Sequence, residues 1–157
     1  MALPVGGQAP DFTLPDANKT PISLSSFRGK RAVLLVFFPF AFSGNCTAEL
    51  CQLRDDLSAF QNERVQVLAI STDTSQSLKA WAELQGFTFS LLSDFWPHGA
   101  VARSYDVFFD KAGMALRGTF LVDVDGTIVF SEANGPGEPR DQSAWKRAVA
   151  ALPVAAG

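Results

Sequence analysis

Apolar and polar positions along the 157-residue chain alternate between strand and helix patterns. The segment "RAVLLVFF" (31–38) is apolar nearly throughout, as in a strand covered on both faces. "ERVQVLAIST" (63–72) repeats that character, and "FTFSLLSD" (87–94) is a third strand candidate. "RGTFLVDVDGTIVFSEA" (117–133) reads as two strands joined at Asp125-Gly126, a dipeptide that hairpin turns favour. Helical periodicity occupies 46–61, 75–85, 98–105 and 141–152. Ahead of these, up to about Phe27, the short alternating pieces "DFTLPD" and "TPISLSSF" predict a β-hairpin or edge structure. Strands and helices alternate until a terminal hairpin and helix close the chain. That order predicts an α/β sandwich with a central mixed sheet flanked by helices and an N-terminal hairpin. No repeat, low-complexity tract or linker interrupts it, so residues 1–157 are expected to form a single domain.

The helix predicted over 46–61 carries both cysteines of the chain. At about 100° per residue, Leu50, Leu53, Leu57 and Phe60 cluster around Cys46 as a core-facing stripe. Cys51 falls off that stripe, between Ser58 and Asp55, and its reading stays open between a small buried hydrophobe, a disulfide mate and an exposed thiol. Cys46 follows "PFAFSGN", where Pro39 and Gly44 end the strand and Ser43 or Asn45 can cap the helix. Its sulfur then lies in the first helical turn, where unpaired backbone N–H groups and the helix dipole favour a thiolate. The plainer alternative is a cysteine that packs at a strand–helix junction. Five residues of intact helix mean a rise of ~7.5 Å and a Cα separation of roughly 8–9 Å. A disulfide spans at most about 7 Å, so a Cys46–Cys51 bond requires the start of the helix to unwind.

Composition narrows what such a helix mouth could serve. A formal net charge of −3, with no basic run, argues against a nucleic-acid partner. Hydrophobic residues at 47%, with 14 Phe, make the chain globular. The opening "MALPVGGQAPDF" has neither a charged n-region nor an apolar h-region. The longest apolar run, "AVLLVFFPFAF", is too short for a bilayer and is broken by Pro39, so no membrane partner is expected. Two cysteines are too few for a disulfide framework, which makes a reducing cytoplasm the expected compartment. The single histidine, His98 in "FWPHG", cannot build a metal site alone and reads as structural, near a helix start. No metal or other cofactor is expected.

The pattern P-x-x-x-[T/S]-x-x-C, formed by Pro39, Ser43 and Cys46 in "PFAFSGNC", joins Arg117 at the start of a strand in "LRGTFLVD". Together they resemble the peroxiredoxin family. The resemblance runs over essentially the whole chain and is closest to the AhpE-type subgroup, in "LLVFFPFAFSGNC", "GFTFSLLSDFWPHGAV" and "PGEPRDQ". It implies a thioredoxin-like fold and a thiol-dependent peroxidase for hydrogen peroxide and organic hydroperoxides, with peroxynitrite in range. It also implies a thioredoxin- or glutaredoxin-like reductant and a homodimer. Cys46 would attack the peroxide and become a sulfenic acid, and Arg117 would favour the thiolate and hydrogen-bond the developing charge. Ser43 would meet the peroxide oxygens, and Pro39 would shield the sulfur from water. Glu49, one turn after Cys46, either orients Arg117 through a carboxylate pair or is a solvated helix acid. Plainer readings exist for Ser43, as a helix cap only, and for Arg117, as a surface strand residue. Phe42 and "SDFWPHG" are assigned to the pocket rim or the dimer contact. AhpE-type proteins commonly carry only the attacking cysteine, whereas Cys51 in "CTAELCQLRD" resembles the resolving cysteine of PrxQ-type (bacterioferritin comigratory) members. That match implies an intramolecular disulfide formed after local unfolding of the helix; resolution by an external thiol is the alternative.

Other readings compete. A thioredoxin-like disulfide reductase would need a C-x-x-C pair and a cis-proline where the chain has Thr119 before "FLVD". A redox sensor or holdase would use oxidation of Cys46 as a switch and turn over once. A structural binding module would leave Cys46 with the slow reactivity of an ordinary thiol.

Overall fold

The computed structural model describes residues 2–153. In chain order its elements are β1 (Thr13–Pro15), β2 (Pro21–Ser23), β3 (Ala32–Phe37), α1 (Gly44–Asp55), β4 (Val65–Ser71), α2 (Ser75–Gln85), β5 (Ser90–Ser93), α3 (Ala100–Ser104), β6 (Phe108–Phe109), β7 (Met114–Ala115), β8 (Arg117–Val122), β9 (Ile128–Asn134) and α4 (Gln142–Ala150). A five-stranded sheet in the order β5-β4-β3-β8-β9 forms the centre. β3, β4 and β5 run parallel, and β8 and β9 return antiparallel. β1 and β2 pair as the expected N-terminal hairpin.

All six residues of β3 are buried, because the sheet is covered on both faces. Side chains alternate across a strand, so Leu34 and Val36 enter one core with Cys46, Leu50, Leu53, Trp81 and Trp145. Val33, Leu35 and Phe37 enter the other, with Tyr105, Val107 and Phe120. The uninterrupted apolar run in the sequence is the trace of this two-sided burial. At the β8–β9 turn, the Asp123 amide donates to Thr127 O at 2.8 Å, and Gly126 takes a left-handed φ of 89° that suits glycine at that position.

Most element ends fall within two residues of the sequence reading, and the larger differences are these. The helix expected over 46–61 is broken: α1 stops at Asp55, Asp56 leaves helical geometry at φ −106° and ψ 21°, and a 3-10 turn, Leu57–Ala59, follows. Two adjacent aspartates at the negative end of the helix dipole oppose its continuation. Leu57, on the expected core stripe, is therefore only half-buried, whereas Phe60 is fully buried. The third strand is regular only from Ser90, where pairing with β4 begins. The small β6–β7 hairpin, with two residues in each strand, is too short for periodicity to register.

Candidate active site

The site forms where β3 ends. β8 runs antiparallel to β3 with Val36 opposite Thr119, so Arg117 at the start of β8 lies beside the segment that leaves β3 through Pro39. That segment turns into α1. Ser43, extended at φ −71° and ψ 148°, is the N-cap, and its Oγ accepts from the Cys46 amide at 3.3 Å. A hydroxyl that accepts one N–H still has its own proton to donate. Ser43 can thus cap the helix and hydrogen-bond a ligand oxygen at once, so its two sequence readings are compatible. Cys46 is the third residue of α1 and is fully buried, on one stripe with Leu50 and Leu53.

Glu49 is buried, which overturns its reading as a solvated acid. Its Oε1 accepts from Arg117 Nη1 at 3.0 Å and also from Arg140 Nη2. Arg117 is buried as well, contrary to a surface strand residue, and its Nε donates to Pro136 O at 2.8 Å. The guanidinium is therefore held from two sides in a fixed plane. The residue after it must be small: a Cβ on Gly118 would meet Val107 Cγ1 at 2.7 Å. Two guanidiniums share the Glu49 carboxylate, and Glu132, opposite Thr119 on β9, lies close enough to Arg140 to feel its charge.

Arg140 is a site residue that sequence reasoning missed. Its Nη1 donates to Phe37 O at 2.7 Å, Gly118 O at 3.0 Å and Thr119 Oγ1 at 3.2 Å, so one side chain ties β3, β8 and Glu49 together. Gln142 supports it by donating from Nε2 to Glu49 O at 2.9 Å. The available signal was a lone arginine in "PGEPRDQ", directly before Asp141, the N-cap of α4.

Pro39, Phe40, Ser43, Asn45, Met114 and Arg117 line an open pocket of about 350 Å³. Cys46 lies beneath the helix start that forms part of this wall. A smaller cavity of about 200 Å³ shares Asn45 and Arg117 and is also lined by Glu49, Gln52 and Arg140. Cys51 belongs to neither. It is half-buried, off the Cys46 stripe as the helical wheel requires, and its Sγ donates to Gln85 Oε1 at 3.4 Å. His98 sits elsewhere, its ring nitrogens within hydrogen-bond reach of Gly113 O (2.6 Å) and Phe95 O (3.2 Å), bridging the approach to α3 and the β6–β7 hairpin. Among the described residues, no three His, Cys, Asp or Glu side chains converge as metal ligands, and no helix is long and apolar enough to cross a membrane.

Comparison with known proteins gives this geometry its context. Residues 5–131 match the AhpC/TSA family model. Alkyl hydroperoxide reductase E of Mycobacterium tuberculosis is 55% identical over 150 residues, covering 96% of this chain and 98% of that one. Peroxiredoxin Bcp of Escherichia coli is 37% identical over 132 residues, covering 80% and 83%. The crystal structure of peroxidoxin BcpB from Mycobacterium tuberculosis superposes with a TM-score of 0.79 at 32% identity, covering 92% of this chain and 94% of that one. With its thioredoxin-like sheet and its thiol in the first turn of α1, the chain belongs to the AhpC/TSA family, as a peroxidase of the peroxiredoxin type.

Proposed function

We propose that the chain, working as one domain over 1–157, reduces hydrogen peroxide and organic hydroperoxides through Cys46. The Cys46 thiolate attacks one peroxide oxygen: an S–O bond forms, the O–O bond breaks, and the departing hydroxide or alkoxide takes up a proton. Cys46 is left as a sulfenic acid. Arg117 hydrogen-bonds the charge that grows on the leaving oxygen, Ser43 donates to the oxygen under attack, and Pro39 closes the pocket wall against water. The observation that carries this reading is the buried Arg117–Glu49 pair at 3.0 Å, which presents a fixed cation to the pocket that Ser43 and Pro39 also line.

Cys51 then attacks the sulfenic sulfur, hydroxide leaves and takes up a proton to become water, and a Cys46–Cys51 disulfide forms. A dithiol reductant of the thioredoxin or glutaredoxin type restores both thiols by exchange. The half-buried position of Cys51, within reach of solvent once α1 opens, supports this order. Its bond to Gln85, away from the Cys46 stripe, favours the second reading, resolution by an external thiol. Exposed aromatic side chains at Phe40, Phe42, Phe95 and Trp96 support a homodimer. The scarcity of cysteine supports a cytoplasmic location.

Intact mass after one equivalent of peroxide, followed by peptide mapping, tests the whole. Loss of two hydrogens with a Cys46–Cys51 link is expected. Oxygen gained on Cys46 with Cys51 free would select the external thiol, and an unmodified protein would remove the peroxidase reading.

A further inference from the structure

Asp73 lies outside the family pattern, on the connection from β4 to α2, yet it bonds to the loop that carries Ser43. Its Oδ2 accepts from the Ala41 amide at 2.8 Å and from Ser71 Oγ at 2.6 Å. The Asp73 backbone is held as well: its amide donates to the same Ser71 Oγ at 3.3 Å, and its carbonyl accepts from Ser93 Oγ at 2.6 Å. Ser71 and Ser93 are buried at the ends of β4 and β5, so Asp73 is fixed to the sheet.

What it holds is under strain. Phe42, next to Ala41, has a φ of 69°, a region that a bulky side chain adopts only when its surroundings impose it. The Phe42 ring rests against Trp81, with centroids 6.2 Å apart, and Ser43 follows directly as the α1 cap. Between Pro39 and Ser43, the bond from the Ala41 amide to Asp73 is the polar tie to the sheet side of the site. It fixes the residue before the strained one, and through it the place of the Ser43 hydroxyl over the first turn of α1.

We infer that Asp73 is a positioning residue for the peroxide reaction, acting as a hydrogen-bond acceptor that holds the 39–43 loop and thereby sets Ser43 over Cys46. The inference rests on the reading of Cys46 as the attacking thiol. What Asp73 supplies is an acceptor oxygen rather than a charge facing the pocket, so Asn in its place keeps the function and Ala loses it.

The test compares Asp73→Ala and Asp73→Asn in a Cys51→Ser parent, where Cys46 alone reports. Two rates are read: Cys46 oxidation by hydrogen peroxide, by rapid quench and intact mass, and Cys46 alkylation by iodoacetamide. A loosened loop misplaces Ser43 while uncovering a buried sulfur, so the alanine variant is expected to lose about 10-fold in oxidation and to gain in alkylation. The asparagine variant is expected to stay within about threefold of the parent in both. Both rates are read at urea-free conditions where the unfolding curve of each variant shows a negligible unfolded fraction, so that a loss of global stability alone does not drive them apart. Any other combination overturns the inference, including an asparagine variant as impaired as the alanine one. Should Asp73→Ala fail to fold, Ser71→Ala removes the hydroxyl that aims the carboxylate and is expected to move both rates in the same directions, by about threefold; no movement there overturns it. A parent untouched by peroxide at Cys46 would instead defeat the underlying reading, and Asp73 would then be judged by alkylation and its rescue by asparagine.

Discussion

Cys51 donates its thiol hydrogen to Gln85 Oε1 at 3.4 Å, so the second thiol of the chain is tied to α2 while Cys46, five positions earlier, is packed into the core. The tie is one of three. Thr47 Oγ1 accepts from Trp81 Nε1 at 3.3 Å, and Arg54 Nη1 donates to Gln85 O at 2.5 Å. Residues 47, 51 and 54 share one stripe of α1, and 81 and 85 share one stripe of α2, as the spacing of neighbours on a helix surface requires. α1 is thus laced to α2 along one side and buried along another. Any movement that brings Cys51 to Cys46 has to release this lacing as the helix unwinds.

Gln85→Ala removes the tie on Cys51 and leaves the backbone carbonyl for Arg54. A hydrogen bond is worth roughly 0.5–1.5 kcal/mol net, and a thiol donor falls at the low end, so disulfide formation after Cys46 oxidation is expected to speed up by about two- to fivefold. Rapid-quench mass spectrometry, counting sulfenic acid against disulfide, measures it. Excess peroxide should then yield less Cys46 sulfinic acid, because the sulfenic acid lives for less time. An unchanged or slower disulfide step would show that the lacing does not control resolution.

Arg117→Lys keeps a positive charge but not the fork. Lysine cannot donate at once to Glu49 and Pro136 and still face the pocket, as the guanidinium does with bonds of 3.0 and 2.8 Å. Peroxide oxidation of Cys46 is expected to fall by about 100-fold, the usual cost of losing a donor aimed at developing negative charge. Stopped-flow rates against peroxide concentration check this, and retention of most of the rate would mean that charge alone suffices.

The parts of this molecule that were legible in the sequence are those that depend on neighbours in the chain. The two-sided burial of β3 shows in an unbroken apolar run, and the α1 cap shows in a serine three residues before a cysteine. The off-stripe place of Cys51 follows from helical rotation. Arg140 was not legible, because its partner Glu49 is 91 positions away and only the closure of the sheet brings them together. Asp73 was hidden for the same reason, being 32 positions from the amide it holds. The break of α1 at Asp55 was missed because hydrophobic period alone runs on through Leu57 and Phe60, while the unfavourable charges of two aspartates act against it.

Arg140→Met separates the scaffold from the chemistry. Methionine fills much of the volume but abandons Phe37 O, Gly118 O and Thr119 Oγ1 and leaves Glu49 with Arg117 alone. Leaving these buried acceptors without their donor costs about 1–3 kcal/mol each, and a loss of about 3 kcal/mol or more is expected from the urea midpoint at pH 7. Arg117→Lys, by contrast, is expected to lose activity with a smaller loss of stability, since the ammonium still neutralises Glu49. Similar unfolding midpoints for the two variants would contradict the division of labour between the arginines.

Asp94 gives a pH signature of its own. The carboxylate is buried at the end of β5 and accepts from the Val101 and Ala102 amides at 3.1 and 2.9 Å. Burial raises its pKa above the ordinary 3.8, and those two amides and the nearby His98 only partly offset the effect. The native state then holds a proton more readily than the unfolded chain does. By linkage, the contribution is fully present below 3.8 and is lost as pH rises through the raised native value. Asp94→Asn still offers an oxygen to the helix amides but does not titrate, so it serves as the reference, and only the slope of the difference between the two proteins with pH matters. The wild-type chain is expected to lose stability relative to Asp94→Asn as pH increases from 3.8, with the difference flat once Asp94 is fully ionised. Urea unfolding of both proteins across that range decides the matter. A wild-type chain that gained on the variant with rising pH would mean that the α3 amides outweigh burial and favour the charged form.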